Sequence, residues 1–497
     1  MRYLLLFFMS VISLSIASCS LLGPKYVAPK VSLSNEWQIN NKNFVQNTSS
    51  LNTSDMAWWH DEFNDLALDQ LVSTALQNNN DIQIALGNIT VASGKLKAVR
   101  MQWYPDINLT TSLGINKSFN NANSFNNPML KPLLANNDNQ VTDFYNLGLM
   151  PSYTLNIFQQ MKQQEIAKLN LSYAKIQKDA VRLAIISQVT GAYITLLSID
   201  QQQIIIKNMI KNLESIISML DTQLAKGLIV NSDMLEYKQK LNELQMQLLH
   251  LENNSLILTN TLKVLVNNDE KFAEIINKRG KFDVINIKNS LPINLPSMVL
   301  NNRPDIMQAI DKLKIANANI GLATSNFFPK IMLTSPLGFY NTNVSNLFAS
   351  SGDYWALQAA AVMPVLNLSL YGIIKESKGQ YYMAYYQYIK VVKSAFAEVN
   401  NSMINYDSET KLLTINLDSY NLLSSKYADD NLKYDNGYMS KLELLVDEIS
   451  TNEALLKLIL GKHQKFQAVI NFYQNIAAGY NYANTEQIKK FNDAHDI

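Results

Sequence analysis

Apolar residues at Ile82, Ala85, Ile89, Ala92, Leu96 and Val99 recur at alternating steps of three and four, the spacing of a coiled-coil seam. The seam predicts a helix in which alanine alternates with a larger residue, so that neighbouring backbones can approach closely. Pro105 ends the pattern, since a helix interior tolerates proline badly. Beyond it the period drops to two. Ile107, Leu109, Thr111, Leu113 and Ile115 share one face, and Asp106, Asn108, Thr110, Ser112 and Asn116 share the other. Apolar on one side and polar on the other, over about ten residues, is the pattern of a membrane β-barrel strand. A helix runs straight into a strand.

The stretch Asp81–Gly114 recurs without a gap as Asp305–Gly338, at a constant offset of 224 residues. Identical pairs include Asp81/Asp305, Ala85/Ala309, Ala92/Ala316, Pro105/Pro329, Leu109/Leu333 and Gly114/Gly338. The second seam reads Ile306, Ala309, Leu313, Ala316, Ile320 and Ala323. The duplication predicts one body with two repeats, 64–300 and 301–480, preceded by segments 1–18 and 19–63 and followed by a polar tail, 481–497.

Within the first repeat a helix is predicted at about 64–101, after Trp58-Trp59 and Phe63. A strand at about 105–118, an Asn-rich external loop at 119–140 and a strand at about 142–157 then form a hairpin. Tyr145, Leu147, Leu149, Tyr153 and Leu155 share a face of the second strand. Pro151 shares it too, and costs a ladder bond unless an edge or bulge absorbs it. No proline interrupts Pro151–Pro292, which allows a helix over about 159–226, roughly 100 Å long. That length does not fit inside a globular domain. Lys226-Gly227-Leu228 breaks it, a helix follows at about 231–266, and 268–300 reads as a mixed linker. The second repeat gives a helix at about 303–326 and strands at about 329–342 and 352–367. A helical stretch to about 435, a break at Asn436-Gly437-Tyr438 and a last helix at about 440–480 follow. The two glycine breaks lie 210 residues apart, so the halves differ by a modest insertion or deletion.

The chain opens with Arg2 and the apolar run Leu4–Ile16, too short to span a bilayer and fitted to an export signal. Ile16-Ala17-Ser18-Cys19 resembles the lipobox of bacterial lipoproteins, which would make Cys19 the first mature residue, carrying a diacylglyceryl thioether and an N-acyl chain such as palmitate. Three acyl chains exceed the two signals needed for stable anchoring. The competing reading is an ordinary secreted protein with a chance cysteine. Residues 20–57 are polar and irregular, as an extended segment along the surface would be.

Four strands per chain cannot close a membrane barrel, which needs about eight or more, and an open edge cannot sit in lipid. Several chains must share one barrel, or the strands belong to a soluble hairpin on a helical bundle. Trp103, Tyr104, Phe327 and Phe328 at the strand starts stand where an interfacial aromatic girdle belongs, which favours the membrane. Composition excludes other classes. With 42 basic and 41 acidic residues and no basic block, the chain lacks the footprint of a nucleic-acid binder. The single cysteine excludes an intrachain disulfide. His60, His250, His463 and His495 lie far apart without metal spacing, and no nucleophile motif or phosphate-binding glycine loop is present. No cofactor and no enzymatic activity are expected.

The ordered stretches Gly23-Pro24-Lys25-Tyr26, Trp37, Trp58-Trp59, Ala75-Leu76-Gln77-Asn78, Arg303-Pro304-Asp305-Ile306, Ala316–Gly321 and Phe327-Phe328-Pro329 carry a resemblance. On their duplicated frame, the chain resembles the TolC-type outer-membrane factors, in their OprM/NodT-like lipoprotein branch. The resemblance implies a mixed fold of α-helix and membrane β-strand, in which a homotrimer shares a twelve-stranded barrel above a periplasmic α-helical coiled-coil barrel. It also implies the exit duct of a tripartite efflux pump for small molecules, partnered by a periplasmic adaptor and an inner-membrane transporter. The alternatives are an exit duct for type I protein secretion and, from another class, a non-conducting coiled-coil structural lipoprotein. In that family, helix ends near such glycine breaks are held shut by side-chain cross-links, and the matching positions are Asp233 and Tyr434. Glu443 matches one of the acids that narrow the pore, whereas the second acid position is Val446, with Asp447 beside it. Met439 replaces an arginine link. Acids at helix starts are also explained by the helix dipole alone. Gly227 and Gly437 are expected to supply left-handed backbone and to leave room for adaptor docking.

Overall fold

The computed structural model describes residues 23–32, 37, 44–46, 55–117, 141–287, 291–293 and 302–481. The first elements are β1 (Phe44–Gln46), α1 (Trp58–Phe63), α2 (Leu66–Asn78), α3 (Asn80–Met101), β2 (Asp106–Lys117) and β3 (Val141–Leu155). Next come α4 (Ile157–Ala225), α5 (Asn231–Val266), α6 (Asp269–Asn277), β4 (Leu291–Ile293) and α7 (Pro304–Ser325). The last are β5 (Lys330–Thr334), β6 (Leu337–Asn341), β7 (Asp353–Trp355), β8 (Gln358–Val362), α8 (Ser369–Asp435) and α9 (Lys441–Asn475). The described parts of 1–27, 92–170 and 314–383 form one compact unit, and those of 28–91, 171–313 and 384–497 form another.

The first unit holds the antiparallel sheet. β2 pairs with β3 from Asp106↔Ser152 to Lys117↔Val141. The other side of β3 takes β5 from Ser152↔Thr334 and β6 from Leu149↔Leu337, on one unbroken register. β8 and β7 pair with β5 and β6 on another common register. Each short pair is thus one strand interrupted at Ser335–Pro336 or Ala356–Leu357. The interruption faces Pro151, whose missing N–H needs no partner there, and Ser335 N–H donates to the Pro151 carbonyl at 3.0 Å. Pro151 is accommodated by a gap in the neighbouring strand, not by an edge or a bulge.

Period-two alternation sets the two faces. Ile107, Leu109, Leu113 and Ile115 are 65–79 % exposed on one, and Trp355 lies at its far side. The opposite face carries Asp106, Asn108, Thr110 and Ser112 and is laced by polar contacts such as Tyr354 Oη donating to Asn146 Oδ1 at 2.9 Å. Gly338 lies so close to β3 that a Cβ would stand 2.4 Å from the Leu147 carbonyl oxygen and 2.5 Å from Gly148 Cα. Both helix-to-strand turns tighten identically: Tyr104 N–H reaches Met101 O at 3.0 Å, and Phe328 N–H reaches Ser325 O at 3.2 Å. In the second half of α7, Asn317 Nδ2 donates to Pro24 O at 2.9 Å, so two of the sequence stretches named above form one contact.

The second unit is helical. The seam residues Ile82, Ala85, Ile306, Ala309 and Leu313 are buried within it. One stretch of α4 is long and apolar enough to cross a membrane, but more than half of it is buried inside the protein, which makes it a core element. Trp58 stacks on Tyr473 at 4.9 Å, and the Tyr473 hydroxyl donates to buried Glu62 at 2.7 Å. Trp37 stacks on Phe396 at 5.1 Å. The duplicated helices are tethered alike. Asn79 Nδ2 donates to Leu265 O at 2.9 Å, and Arg303 Nη1, at the equivalent position, donates to Asn475 O at 2.8 Å.

Several predicted boundaries change. The helix expected at 64–101 starts close to expectation, at Leu66 with Asp65 as its cap, but it is cut at Asn79, whose Oδ1 accepts from Asp81 N–H at 2.9 Å and opens α3; a separate short helix, α1, precedes it and ends at Asn64, φ +47°. The linker contains α6, capped by Asn268, and β4, which pairs in parallel with β1 inside the stretch read as irregular. The last strand ends at Val362 and α9 at Asn475, both short of expectation. The signal segment, Cys19, the loop at 119–140 and the tail beyond Asn481 lie outside the described residues.

Gly338→Ala is expected to destabilise the protein by about 1–3 kcal/mol, because the added methyl meets backbone that cannot yield. Gly94→Ala, on an open face of α3, is expected to stabilise by roughly 1 kcal/mol through helix propensity. Thermal unfolding of the two variants beside the parent reads both signs.

Candidate functional site

The two glycine breaks have the same construction. α4 ends as Gly227 N–H bonds Leu224 O at 2.9 Å and Leu228 N–H bonds Gln223 O at 3.0 Å. α8 ends as Gly437 N–H bonds Tyr434 O at 2.9 Å and Tyr438 N–H bonds Lys433 O at 2.8 Å. This is the Schellman arrangement, with glycine in the left-handed region at φ +70° and +76°. No atom lies within 4 Å of the place a Cβ would take at either glycine, so backbone conformation, and not local space, demands the residue. The chain turns show apolar groups to solvent: Leu228, Val230 and Tyr438 are exposed, Tyr438 by 85 %.

Each turn leads into a helix whose third residue is an acid, Asp233 in α5 and Glu443 in α9, again 210 positions apart. Asp233 Oδ2 accepts from Val230 N–H at 3.2 Å, and Val230 has no polar side chain to answer it. At the second turn the exchange is mutual. Ser440 N–H and Oγ–H donate to Glu443 Oε2 at 2.9 and 2.8 Å, and Glu443 N–H donates to Ser440 Oγ at 3.2 Å, a full capping box. The Ser440 backbone N–H, then its hydroxyl, hold the Glu443 carboxyl below its usual range. Within a single chain no hydrogen bond joins Asp233 to Tyr434 among the described residues; the Tyr434 ring instead lies under the Lys441 ammonium at 5.1 Å.

Asp447 sits elsewhere in the network. Lys426 of α8 donates to its Oδ1, and Lys426 also pairs with Asp430 at 3.2 Å. Lys433 closes on the other Asp430 oxygen at 2.6 Å. Lys433, then Lys426, hold the Asp430 carboxyl down to about 2. The charge ladder Lys433–Asp430–Lys426–Asp447 thereby ties α8 to α9 near their shared turn. Val446 packs on the core and walls a groove of about 410 Å³ with Leu213, Tyr237 and Ile449, spanned by Lys240–Glu453 at 2.6 Å. The spacing of Lys426, Asp430 and Lys433 was readable as a helix-surface ladder. The pairing with Asp447, 21 residues on, was not.

Among the described residues the histidines do not converge. His60 pairs with Asp69 at 2.6 Å, and His463 Nε2 lies 3.0 Å from Thr195 Oγ1. Among the described residues no group of three or more His, Cys, Asp or Glu side chains could hold a metal. The site's chemistry is that of charged and hydrogen-bonded helix ends.

Comparison with known proteins places this geometry. The outer membrane efflux protein family matches residues 71–268 and 295–478. The probable outer membrane lipoprotein SilC of Salmonella typhimurium is 24 % identical over 470 residues, covering 94 % of this chain and 96 % of its own. Outer membrane protein OprJ of Pseudomonas aeruginosa is 25 % identical over 486 residues, covering 94 % and 95 %. Among solved structures, the Campylobacter jejuni CmeC outer membrane channel superposes with a TM-score of 0.78 at 21 % identity, over 95 % of this chain and 98 % of that one. The chain belongs to the outer membrane efflux protein family and is an outer-membrane efflux channel.

Proposed function

We propose that three copies of this chain close a twelve-stranded barrel in the outer membrane, and that their glycine-ended hairpin turns form a periplasmic gate. The assembly acts as the exit duct of a tripartite pump for small molecules, with a periplasmic adaptor and an inner-membrane transporter as partners and Cys19 as lipid anchor. One observation carries this reading. A sheet four strands wide exposes a continuous apolar face, and among the described residues its outermost strands have no further strand beside them. Lipid tolerates no such open edge, and further copies supply the missing partners. Asp233, Tyr434, Glu443, Gly227 and Gly437 lie at the hairpin ends where the gate is placed.

In this reading the acidic constriction has a single level. Glu443 is exposed and ionised, and three copies around an axis would favour cations. Asp447 is not a second ring, because Lys426 of the same chain neutralises it. The ladder is also acid-resistant. A carboxyl held at about 2 when folded, against an ordinary value near 4, contributes stability that is full above about pH 4 and is lost only as the pH falls toward 2.

Asp233→Ala combined with Tyr434→Phe is expected to raise the resting single-channel conductance in a planar bilayer; unchanged conductance in a correctly assembled channel would remove these residues from the gate. Reversal potentials in a salt gradient test the ring. Glu443→Gln should lower cation selectivity and Asp447→Asn should leave it unchanged, while Lys426→Met, which frees Asp447, should increase it. A loss of selectivity in Asp447→Asn equal to that in Glu443→Gln would show two acidic levels.

A further inference from the structure

Where β3 passes into α4, on the polar face of the sheet, lies a recess of about 420 Å³ walled largely by amides. Gln102, Asp106, Asn156, Gln160, Gln163 and Lys330 are among its lining residues. Its size falls in the range of small-molecule sites. Two of its side chains are more than nine-tenths buried, Asn156 at 8 % and Gln160 at 6 % exposure. Their nitrogens are tied to the protein. Gln160 Nε2 donates to Gln102 O at 3.0 Å and to Thr154 O at 3.2 Å, and Asn156 Nδ2 donates to Gln159. These bonds fix the orientation of both amides and leave Asn156 Oδ1 and Gln160 Oε1 buried with no donor. Buried acceptors are rarely left so. Asn156 directly precedes α4, yet its oxygen is not used to cap the helix.

We propose that this recess binds a neutral, hydroxyl-rich ligand of the sugar class. The two orphan oxygens call for donors. The surroundings do not suit a cation, because Lys330 and the positive end of α4 stand at the same recess. An anion would meet Asp106 and the two carbonyl oxygens. Asp106 and Lys330 balance in charge, and a hydroxyl group, which donates and accepts at once, satisfies both kinds of wall. Tyr104, exposed at the rim, adds an aromatic surface of the kind a sugar ring covers. The even-numbered residues Asp106, Ser152, Thr154 and Lys330 share the polar sheet face, which in the barrel reading above is the face of the duct. The recess is then a resting place for polyhydroxylated cargo where it enters the barrel. Only that last step rests on the barrel reading.

The test uses the full chain solubilised in a sugar-free zwitterionic detergent, with methyl glucoside, guanidinium and inorganic phosphate as probes in saturation-transfer NMR. Methyl glucoside should give a saturable signal that Asn156→Leu and Gln160→Leu each weaken about tenfold, since each removes an acceptor built to meet a hydroxyl. Where a leucine variant fails to melt cooperatively, the half-buried Gln163→Ala and the exposed Asp106→Asn carry the comparison and should weaken binding about threefold. Methyl glucoside binding that is absent, or equal in parent and variants, overturns the proposal. Saturable guanidinium or phosphate binding that the same variants abolish also overturns it, because the recess is then an ion site. The readout involves no conduction, so a failed duct reading and a failed recess reading are told apart.

Discussion

A strand in lipid has to give every backbone N–H and C=O to a neighbouring strand, because no water is present to take them. The rest of this chain's organisation answers to that requirement. Its sheet is four strands wide once the two interrupted pairs are joined, and its apolar face is exposed from Ile107 to Trp355. A soluble protein would cover such a face, since exposed contiguous apolar patches mark an interaction or a membrane. The prolines are placed consistently with this. Pro151 faces the interruption at Ser335–Pro336, and Pro336 faces the one at Ala356–Leu357, so that the missing donors lie at one level and the registers on either side stay intact.

The helical unit solves its end problems twice with different residues. Both hairpin turns use the same two backbone bonds and the same left-handed glycine, because that geometry satisfies the last carbonyls of a long helix whatever side chains surround it. The helix that follows is capped fully at Ser440 and only half at Val230. The same holds at the repeat starts. Asn79 tethers the first repeat by a neutral amide, and Arg303 tethers the second with a guanidinium that also pairs with Asp305 at 2.9 Å and Glu398 at 2.6 Å. The duplicated halves share backbone geometry and diverge in side-chain strength. The second hairpin, which carries the charge ladder as well, is the more firmly pinned.

Much of this was legible because it is local. The period change at Pro105 and Pro329 marks where helix gives way to strand, and the two glycines mark the turns, since each feature depends on a few adjacent residues. The cut at Asn79 was missed although asparagine is a known capping residue, because the apolar period resumes directly after it and outweighs a single polar position. The β1–β4 pairing joins Phe44 to Leu291 across most of the first repeat, and short strands carry too little pattern to be found singly. Neither the glycine breaks nor the family resemblance could show which partner each acid takes.

That choice of partner is decided by geometry too fine for spacing to report. Val446 and Asp447 are adjacent, so they point to different sides of α9: Val446 turns to the groove beside Leu213 and Tyr237, and Asp447 turns to Lys426. One residue along a helix is a rotation of about 100°, enough to turn a side chain from the groove to the neighbouring helix. A carboxylate there, with an ammonium in reach, gains more from the charge-assisted bond than from exposure to water. Val446 and Asp447 therefore divide the surface of α9 between them: the apolar side chain walls the groove, and the charge fastens α8 to α9. With the Lys426–Asp430–Lys433 contacts behind it, that bond holds the two helices together near their turn.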